Sequence, residues 1–147
     1  MKLIVLFFIF ATVFGQIDHG CKVNCDCPDF SQLFTVEGLA ELNYTQLDGC
    51  NFFANCLNGK DGEVRSEWTK SEIEKPEDVD VTFFEFDMDE NEEFMTTLGI
   101  VCEDGKWLAT KYPWGIYYTN SGDGGIRTGF DGAIDGKKSQ IDVATCA

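Results

Sequence analysis

The chain has 147 residues and a formal net charge of −15, from 26 acidic and 11 basic side chains. This length predicts one ordinary domain that can bury a core of its own. The excess of negative charge repels nucleic acid and anionic lipid over a Debye length, so the composition argues against nucleic-acid binding and against binding to a membrane surface.

An export signal is predicted at the N-terminus. One lysine precedes an apolar run from Leu3 to Phe14, and Gly15 provides the small residue that a cleavage site requires. The run is too short for a transmembrane span, which needs about 20 apolar residues. We therefore expect a signal peptide over residues 1–15 and a single secreted, extracellular domain over residues 16–147.

Disulfides are the expected fate of the cysteines in an exported chain. The seven cysteines are Cys21, Cys25, Cys27, Cys50, Cys56, Cys102 and Cys146. Six can pair, and spacing alone leaves the pairing open. We predict a Cys56–Cys102 bridge between two sheets. We expect Cys146 to bond to one cysteine of the N-terminal group, which is Cys21, Cys25 and Cys27. The unpaired cysteine is expected in that group, either as a free thiol or as the link of a disulfide-bonded dimer. A zinc set formed by His19 and the three N-terminal cysteines is the less favoured alternative, because an oxidising compartment favours disulfides.

Short strands separated by turn residues are predicted along the chain. Their expected ranges are residues 32–36, 49–56, 63–68, 79–86, 112–118 and 140–146. Residues 63–68 are interpreted as the return strand of a hairpin, and Gly38 is expected to interrupt any helix. Residues 120–136 hold six glycines and predict a long loop or two short hairpins. Since no stretch has a helical apolar period, we predict an all-β, disulfide-stapled antiparallel β-sandwich.

The clearest local pattern is a β-hairpin over residues 99–107. Asp104 and Gly105 are suited to a type I′ turn, which needs positive φ at both central positions. Cys102, two residues before the turn, would tie the hairpin to another sheet. Trp107, on the second strand, is expected inside the core.

Two surface features are predicted from short motifs. Asn43 begins the only Asn-x-Ser/Thr sequon and is a predicted N-glycosylation site. Tyr112, Trp114 and Tyr117 lie around Pro113 and Gly115, which favour a loop or an edge strand, so they form a candidate binding patch.

The segment after Phe86 is a weak calcium candidate. Asp87, Asp89 and Asn91 place oxygen ligands at alternate positions, as a calcium loop does. An EF-hand needs Gly at its sixth position and Glu at its twelfth, and the residues there are Glu92 and Leu98, so the segment is not an EF-hand. A solvated acidic loop is the preferred interpretation.

Four cysteine motifs carry a family resemblance. They are Cys-x-Cys-Pro from Cys25, Gly-Cys-x5-Cys ending at Cys56, the Gly99–Trp107 run and the terminal Cys146. With these motifs the chain resembles the small secreted cysteine-rich domain families that are expanded in nematodes and have no established function. The resemblance implies a secreted, β-rich domain and no known activity.

The functional hypothesis is a secreted, non-enzymatic domain that acts by extracellular binding, with no cofactor. Its partner would be an extracellular protein or a carbohydrate. One alternative is a small carboxylate-based hydrolase, which would need two carboxylates about 5–10 Å apart in a groove. The other is a calcium-dependent binding module. Catalysis by a Ser-His or Cys-His site is disfavoured, because His19 is the only histidine.

Overall fold

The computed structural model describes residues 24–120 and 124–147. The predicted signal peptide, His19 and Cys21 lie outside them. Two short α-helices, α1 (Val36–Ala40) and α2 (Phe94–Thr97), accompany the strands. The strands of the described part are β1 (Leu42–Gln46), β2 (Phe52–Cys56), β3 (Gly62–Glu67), β4 (Phe83–Met88), β5 (Val101–Glu103), β6 (Lys106–Ala109), β7 (Ile116–Asn120), β8 (Gly124–Thr128), β9 (Ser139–Gln140) and β10 (Val143–Cys146).

These strands form three antiparallel sheets. β1 pairs with β2, the order β10-β3-β4-β7-β8 makes a five-stranded sheet, and β5-β6-β9 makes a three-stranded one. The predicted all-β, disulfide-stapled antiparallel sandwich is confirmed, with its strands divided among three sheets. Residues 63–67 do form a strand, and Trp68 begins a 3₁₀ turn, but β3 pairs with β4 and β10 and not with β2. The prediction that it returns from β2 is therefore wrong.

The two faces of the five-stranded sheet differ in chemistry because side chains alternate along each strand. In β3 and β4 the inner positions include Val64, Phe84 and Phe86, and all three side chains are buried. The outer positions of the same two strands include Glu63 and Glu85, which are only partly buried. The outer face is thus the more polar of the two.

An aromatic cluster forms the core beneath the hairpin. The Phe30 ring stacks on Phe52 with centroids 4.2 Å apart, and it meets Trp107 edge-on at 5.7 Å. Trp107 is buried, as predicted, and its indole Nε1 donates a hydrogen bond of 2.7 Å to the carbonyl oxygen of Pro28. The N-terminal segment is therefore held against the hairpin by both packing and a hydrogen bond.

The hairpin prediction is confirmed and its bridge is corrected. β5 and β6 pair across Asp104 (φ 50°) and Gly105 (φ 73°), as a type I′ turn requires. Cys102 bonds to Cys27, however, and not to Cys56. The N-terminal segment runs beside the hairpin, so Cys27 is the cysteine within reach.

The other two disulfides also differ from the prediction. Cys25 bonds to Cys50, and Cys56 bonds to Cys146, so Cys146 is not tied to the N-terminal group. A bridge requires Cα atoms within about 7 Å, and the Cys56 and Cys146 Cα atoms lie 5.6 Å apart at the ends of β2 and β10. The seventh cysteine lies outside the described residues.

Residues 30–40 form two helical turns separated by the extended residues Phe34 and Thr35, and not the predicted strand. A 3₁₀ turn at Phe30–Leu33 leads into α1, whose first turn is capped because Gly38 N donates to Thr35 Oγ1 at 3.0 Å. Gly38 lies inside α1, and a Cβ there would come within 2.7 Å of Thr145 Oγ1. The glycine therefore lets the helix lie against β10, and the expectation that it interrupts a helix is wrong.

Three other predicted elements are shifted. β4 begins at Phe83 and β7 at Ile116, so the first residues of the predicted strands 79–86 and 112–118 are irregular. The predicted strand 140–146 is divided between β9 and β10. In the glycine-rich segment, β8 forms one hairpin with β7, and residues 130–136 form turns. The described part of this segment is therefore neither one long loop nor two short hairpins.

Two buried serines offer a matched test of hydrogen bonding. Ser66 and Ser139 are both fully buried. Ser66 Oγ has no hydrogen-bond partner within the described part of the chain, whereas Ser139 Oγ lies 2.6 Å from Tyr112 Oη and 2.8 Å from Ser71 Oγ. We expect Ser139→Ala to destabilise the fold by about 1–3 kcal/mol, because it removes a satisfied network, and Ser66→Ala to stabilise it by about 0.5 kcal/mol.

Differential scanning calorimetry of both variants measures this difference. Equal destabilisation by the two substitutions would contradict the prediction, since it would show that the Ser66 hydroxyl makes a bond of the same value.

Candidate ligand-binding groove

A groove crosses the outer face of the five-stranded sheet. It has two adjoining lobes with volumes of about 370 Å³ and 260 Å³, which share Asp61, Asp87 and Arg127. Tyr117 lines the larger lobe and Trp114 the smaller one. The charged side chains of the two lobes together are Asp61, Glu63, Glu85, Asp87, Asp89 and Arg127. Carboxylates thus outnumber cations in the lining.

Arg127 joins the acidic segment after Phe86 to the aromatic turn around Trp114. Its guanidinium donates to both carboxylate oxygens of Asp87 at 2.6 Å, and it also donates to the carbonyl oxygen of Trp114 at 3.2 Å. The same guanidinium lies 5.8 Å from the centre of the Tyr117 ring. Two features that are far apart in sequence, the segment after Phe86 and the turn around Trp114, therefore meet in one groove.

A glycine makes the aromatic turn possible. Gly115 has a φ of 72°, and a Cβ at this position would collide with the carbonyl oxygen of Thr128 on β8. Only glycine accepts this combination of conformation and contact. The turn leaves Trp114 with 45% of its surface exposed beside the groove.

The structure divides the predicted aromatic patch. Trp114 and Tyr117 both border the groove, but Tyr112 is fully buried and cannot belong to a surface patch. The Tyr112 hydroxyl lies within hydrogen-bond distance of Ser139 Oγ and of the carbonyl oxygens of Ala109 and Lys137. Burial raises its pKa to about 12. Because Tyr112 finds polar partners for its hydroxyl in the interior, the whole side chain is accommodated there.

The calcium candidate does not assemble as a ligand cage. The carboxylate of Asp87 is engaged by Arg127, and the backbone N–H of Asp89 donates to Glu92 Oε2 at 3.0 Å as part of a turn. Among the described residues, the cluster of three metal-ligating groups that the fold does bring together is Cys25, Cys27 and Cys102. All three are consumed by disulfides, so Cys25 and Cys27, the two described cysteines of the zinc alternative, offer no thiolate to a metal.

Two glutamates, Glu63 and Glu85, line the larger lobe. Glu85 is paired with Arg65, whose Nη2 lies 2.6 Å from Glu85 Oε1. Burial raises the pKa of Glu63, and the neighbouring charge of Glu85 and a hydrogen bond with that side chain raise it further. Glu63 therefore holds its proton at a higher pH than an ordinary glutamate does.

This raised pKa predicts a pH-dependent effect of Glu63→Gln. An acid whose pKa is higher in the folded state stabilises the fold at low pH, and this contribution is lost as the pH rises through its folded-state pKa. At neutral pH the uncharged amide of the variant should therefore stabilise the protein. The expected gain is only about 0.5 kcal/mol, because the site is half exposed and solvent screens its charges. At pH 3, where Glu63 is protonated, the melting temperatures of variant and wild type should agree.

Melting curves from pH 3 to pH 7 check this expectation, with Glu77→Gln as the control at an exposed carboxylate outside the groove. A gain that is the same at pH 3 and pH 7 would assign the effect to the amide itself and not to the removed charge.

Sequence reasoning missed Arg127 and the Glu63–Glu85 contact. The sequence did single out Arg127 in one way, since it is the only basic residue between Tyr112 and Gly136. The contact had no such signal, because it depends on the pairing of β3 with β4.

The fold and the groove together define a class: a small, disulfide-bonded β domain with an acidic cleft on one sheet. A family model described as "TRA-1 regulated protein R03H10.4" matches residues 23–146, and the chain belongs to this family. The match confirms the resemblance to a nematode cysteine-rich family. No curated protein and no solved structure matches the chain. Within the described residues, no helix combines the length and the apolar character needed to cross a membrane.

Proposed function

We propose that the chain is a secreted, non-enzymatic binding domain, and that its groove takes a basic segment of an extracellular partner protein. Export is supported by the three disulfides, since such bonds persist in oxidising compartments. The observation that carries the choice of ligand is the unbalanced negative charge of the groove beside the exposed Trp114.

The arginines near the groove are already neutralised by partners. Arg127 is paired with Asp87, and Arg65 with Glu85. The other three acidic side chains of the lining have no ion-pair partner in the described part of the chain; they are Asp61, Glu63 and Asp89. A lysine or arginine side chain from a partner would supply the missing counter-charge.

Trp114 suits the same kind of ligand. An indole face attracts a cation by about 0.5–2 kcal/mol, depending on how far the cation is desolvated. Trp114 is 45% exposed and lines the same lobe as Asp61 and Asp89. A neutral carbohydrate could stack on the ring but would leave the repulsion between the carboxylates uncompensated, so a basic protein segment is favoured over a sugar.

The hydrolase alternative has one observation in its favour, the raised pKa of Glu63. Glycoside hydrolysis places its two carboxyl groups about 5–10 Å apart, with the scissile bond between them. Glu85 is instead held in an ion pair, with Arg65 Nη2 2.6 Å from its Oε1, so it is not a free second carboxylate for such a reaction. We therefore favour binding over hydrolysis.

Titration calorimetry with hexa-arginine, hexa-lysine and hexa-glutamate peptides tests the proposed ligand class. We expect the two basic peptides to bind, and the Asp61→Asn/Asp89→Asn and Trp114→Ala variants to weaken binding about tenfold each. The charge-matched control is Glu74→Gln/Glu77→Gln, which removes two carboxylates outside the groove. An equal loss of affinity in the control would show that the peptides bind through general charge attraction, and it would overturn the proposal.

Proton linkage provides an independent readout of ligand binding. A cation in the groove favours ionised Glu63, so binding should release protons and tighten as the pH rises through the Glu63 pKa.

Export is tested separately by expressing the full chain in a eukaryotic secreting host and sequencing the N-terminus of the protein recovered from the medium. We expect Gln16 as the first residue, and retention of the protein inside the cell would contradict secretion.

A further inference from the structure

The outer face of the β1–β2 ribbon combines the glycosylation sequon with exposed apolar side chains. Asn43 lies directly opposite Asn55, and Thr45 directly opposite Phe53. All four side chains point away from the core, because the alternate residues of β2 are the buried ones. Leu57 continues the same outward row, one pair further along, where its N–H donates to the carbonyl oxygen of Glu41 at 2.7 Å.

Two apolar side chains on this face lack cover. Phe53 and Leu57 are each 41% exposed and lie on either side of Asn55. Asn43, as the cross-strand partner of Asn55, is therefore central between them. Diagonal neighbours across an antiparallel pair are about 7–8 Å apart, which is within reach of a sugar ring attached to the asparagine.

The sequon itself is open to modification. Asn43 and Thr45 are both exposed. β1 also forms an outer edge, since β2 is its only strand partner in the described residues. An exposed edge strand is a site where other chains can add by strand pairing.

We propose that Asn43 carries an N-linked glycan and that its first sugar covers Phe53 and Leu57. In the transfer step, Asn43 Nδ2 bonds to C1 of the first sugar and gives up one proton, while the lipid pyrophosphate of the glycan donor leaves. The inference rests on the proposed function in one respect, because the step requires passage through the secretory pathway.

A hydrogen bond on this face sets the direction of the sugar. Asn43 Nδ2 donates to Asn55 Oδ1 at 2.9 Å. Glycosylation removes one of the two hydrogens on Nδ2, and the remaining hydrogen can keep this bond. The bond then holds the amide in place, so the sugar lies over the ribbon with its apolar C–H face on the Phe53 ring. The glycan also shields the β1 edge.

Enzymatic trimming of the full chain, secreted from a eukaryotic host, tests both parts of the proposal. Intact-mass spectrometry gives the fraction of chains that carry a glycan. Two variants serve as controls: Thr45→Ser keeps the sequon, and Thr45→Ala abolishes it. Endoglycosidase H leaves the first sugar on Asn43, whereas peptide-N-glycosidase removes it and converts Asn43 to aspartate. We expect the first treatment to leave the melting temperature unchanged and the second to lower it by about 2–4 °C.

The control for the second treatment is Asn43→Asp, which is chemically identical to its product and should melt at the same temperature. In the Phe53→Ser/Leu57→Ser variant, complete removal of the glycan should lower the melting temperature by less than about 1 °C, because the sugar has no apolar surface to cover. An equal drop in this variant and in the wild type would overturn the proposed cover.

The outcomes separate this inference from the proposed function. A secreted chain that carries no sugar on Asn43 would overturn the inference and leave the binding proposal standing. If the chain stays in the cell, secretion fails, and the same full chain is placed behind a host export signal. An unmodified Asn43 in that protein would overturn the glycan proposal by itself.

Discussion

Removing the Cys56–Cys146 bridge with the double substitution C56A/C146A should lower the free energy of unfolding by about 4–5 kcal/mol. The bridge closes a loop with a sequence separation of 90, and the loss of chain entropy in the unfolded state grows with the logarithm of loop length. The bridge also joins the ends of two strands from different sheets, β2 and β10. The measurement is urea unfolding followed by tryptophan fluorescence.

The matched control for this prediction is C25A/C50A, which opens a loop with a separation of only 25. The entropy argument gives it a loss about 1 kcal/mol smaller than that of the long-range bridge. Equal losses, or a larger loss in the control, would show that local packing and not loop length decides the stabilisation.

Phe30→Ala should destabilise the fold by about 3–5 kcal/mol, the range for deleting a buried aromatic side chain. Phe30 is fully buried, and its ring contacts Phe52, Trp107 and two other phenylalanines. Its removal leaves a cavity at the point where the N-terminal segment, the β1–β2 ribbon and the hairpin meet. Chemical denaturation of the purified variant gives the loss directly.

Phe130→Ala is the control, because 47% of the Phe130 surface is already exposed. A surface substitution of this kind usually changes stability by about 0.5 kcal/mol or less. A loss of that size in Phe30→Ala as well would contradict the central place of the Phe30 ring.

The parts of the fold that could be predicted are those that neighbouring residues decide. The Asp104–Gly105 turn was recognisable because few residue pairs accept positive φ at both positions. The buried face of β2 was recognisable because Phe52, Ala54 and Cys56 alternate with polar or exposed positions. Turn chemistry and side-chain alternation act over a few residues, so they can be read along the chain.

Within the candidate site, the acidic segment and Trp114 were predicted as separate features. Their meeting was not predicted, because it depends on Arg127 reaching across from β8 to Asp87 on β4. Tyr112 was misplaced for a related reason: its burial follows from the partners that Lys137 and Ser139 offer its hydroxyl after the chain has turned back.

By itself, the sequence determined that this is a small all-β domain with a disulfide framework, an acidic surface and a Gly99–Trp107 hairpin. Only the tertiary structure decided which cysteines are partners and which charges share a groove. Cys102 lies 75 residues from Cys27 in sequence, and a bridge between them requires their Cα atoms to come within 6.0 Å. That distance is a property of packed sheets, and no local pattern in the chain encodes it.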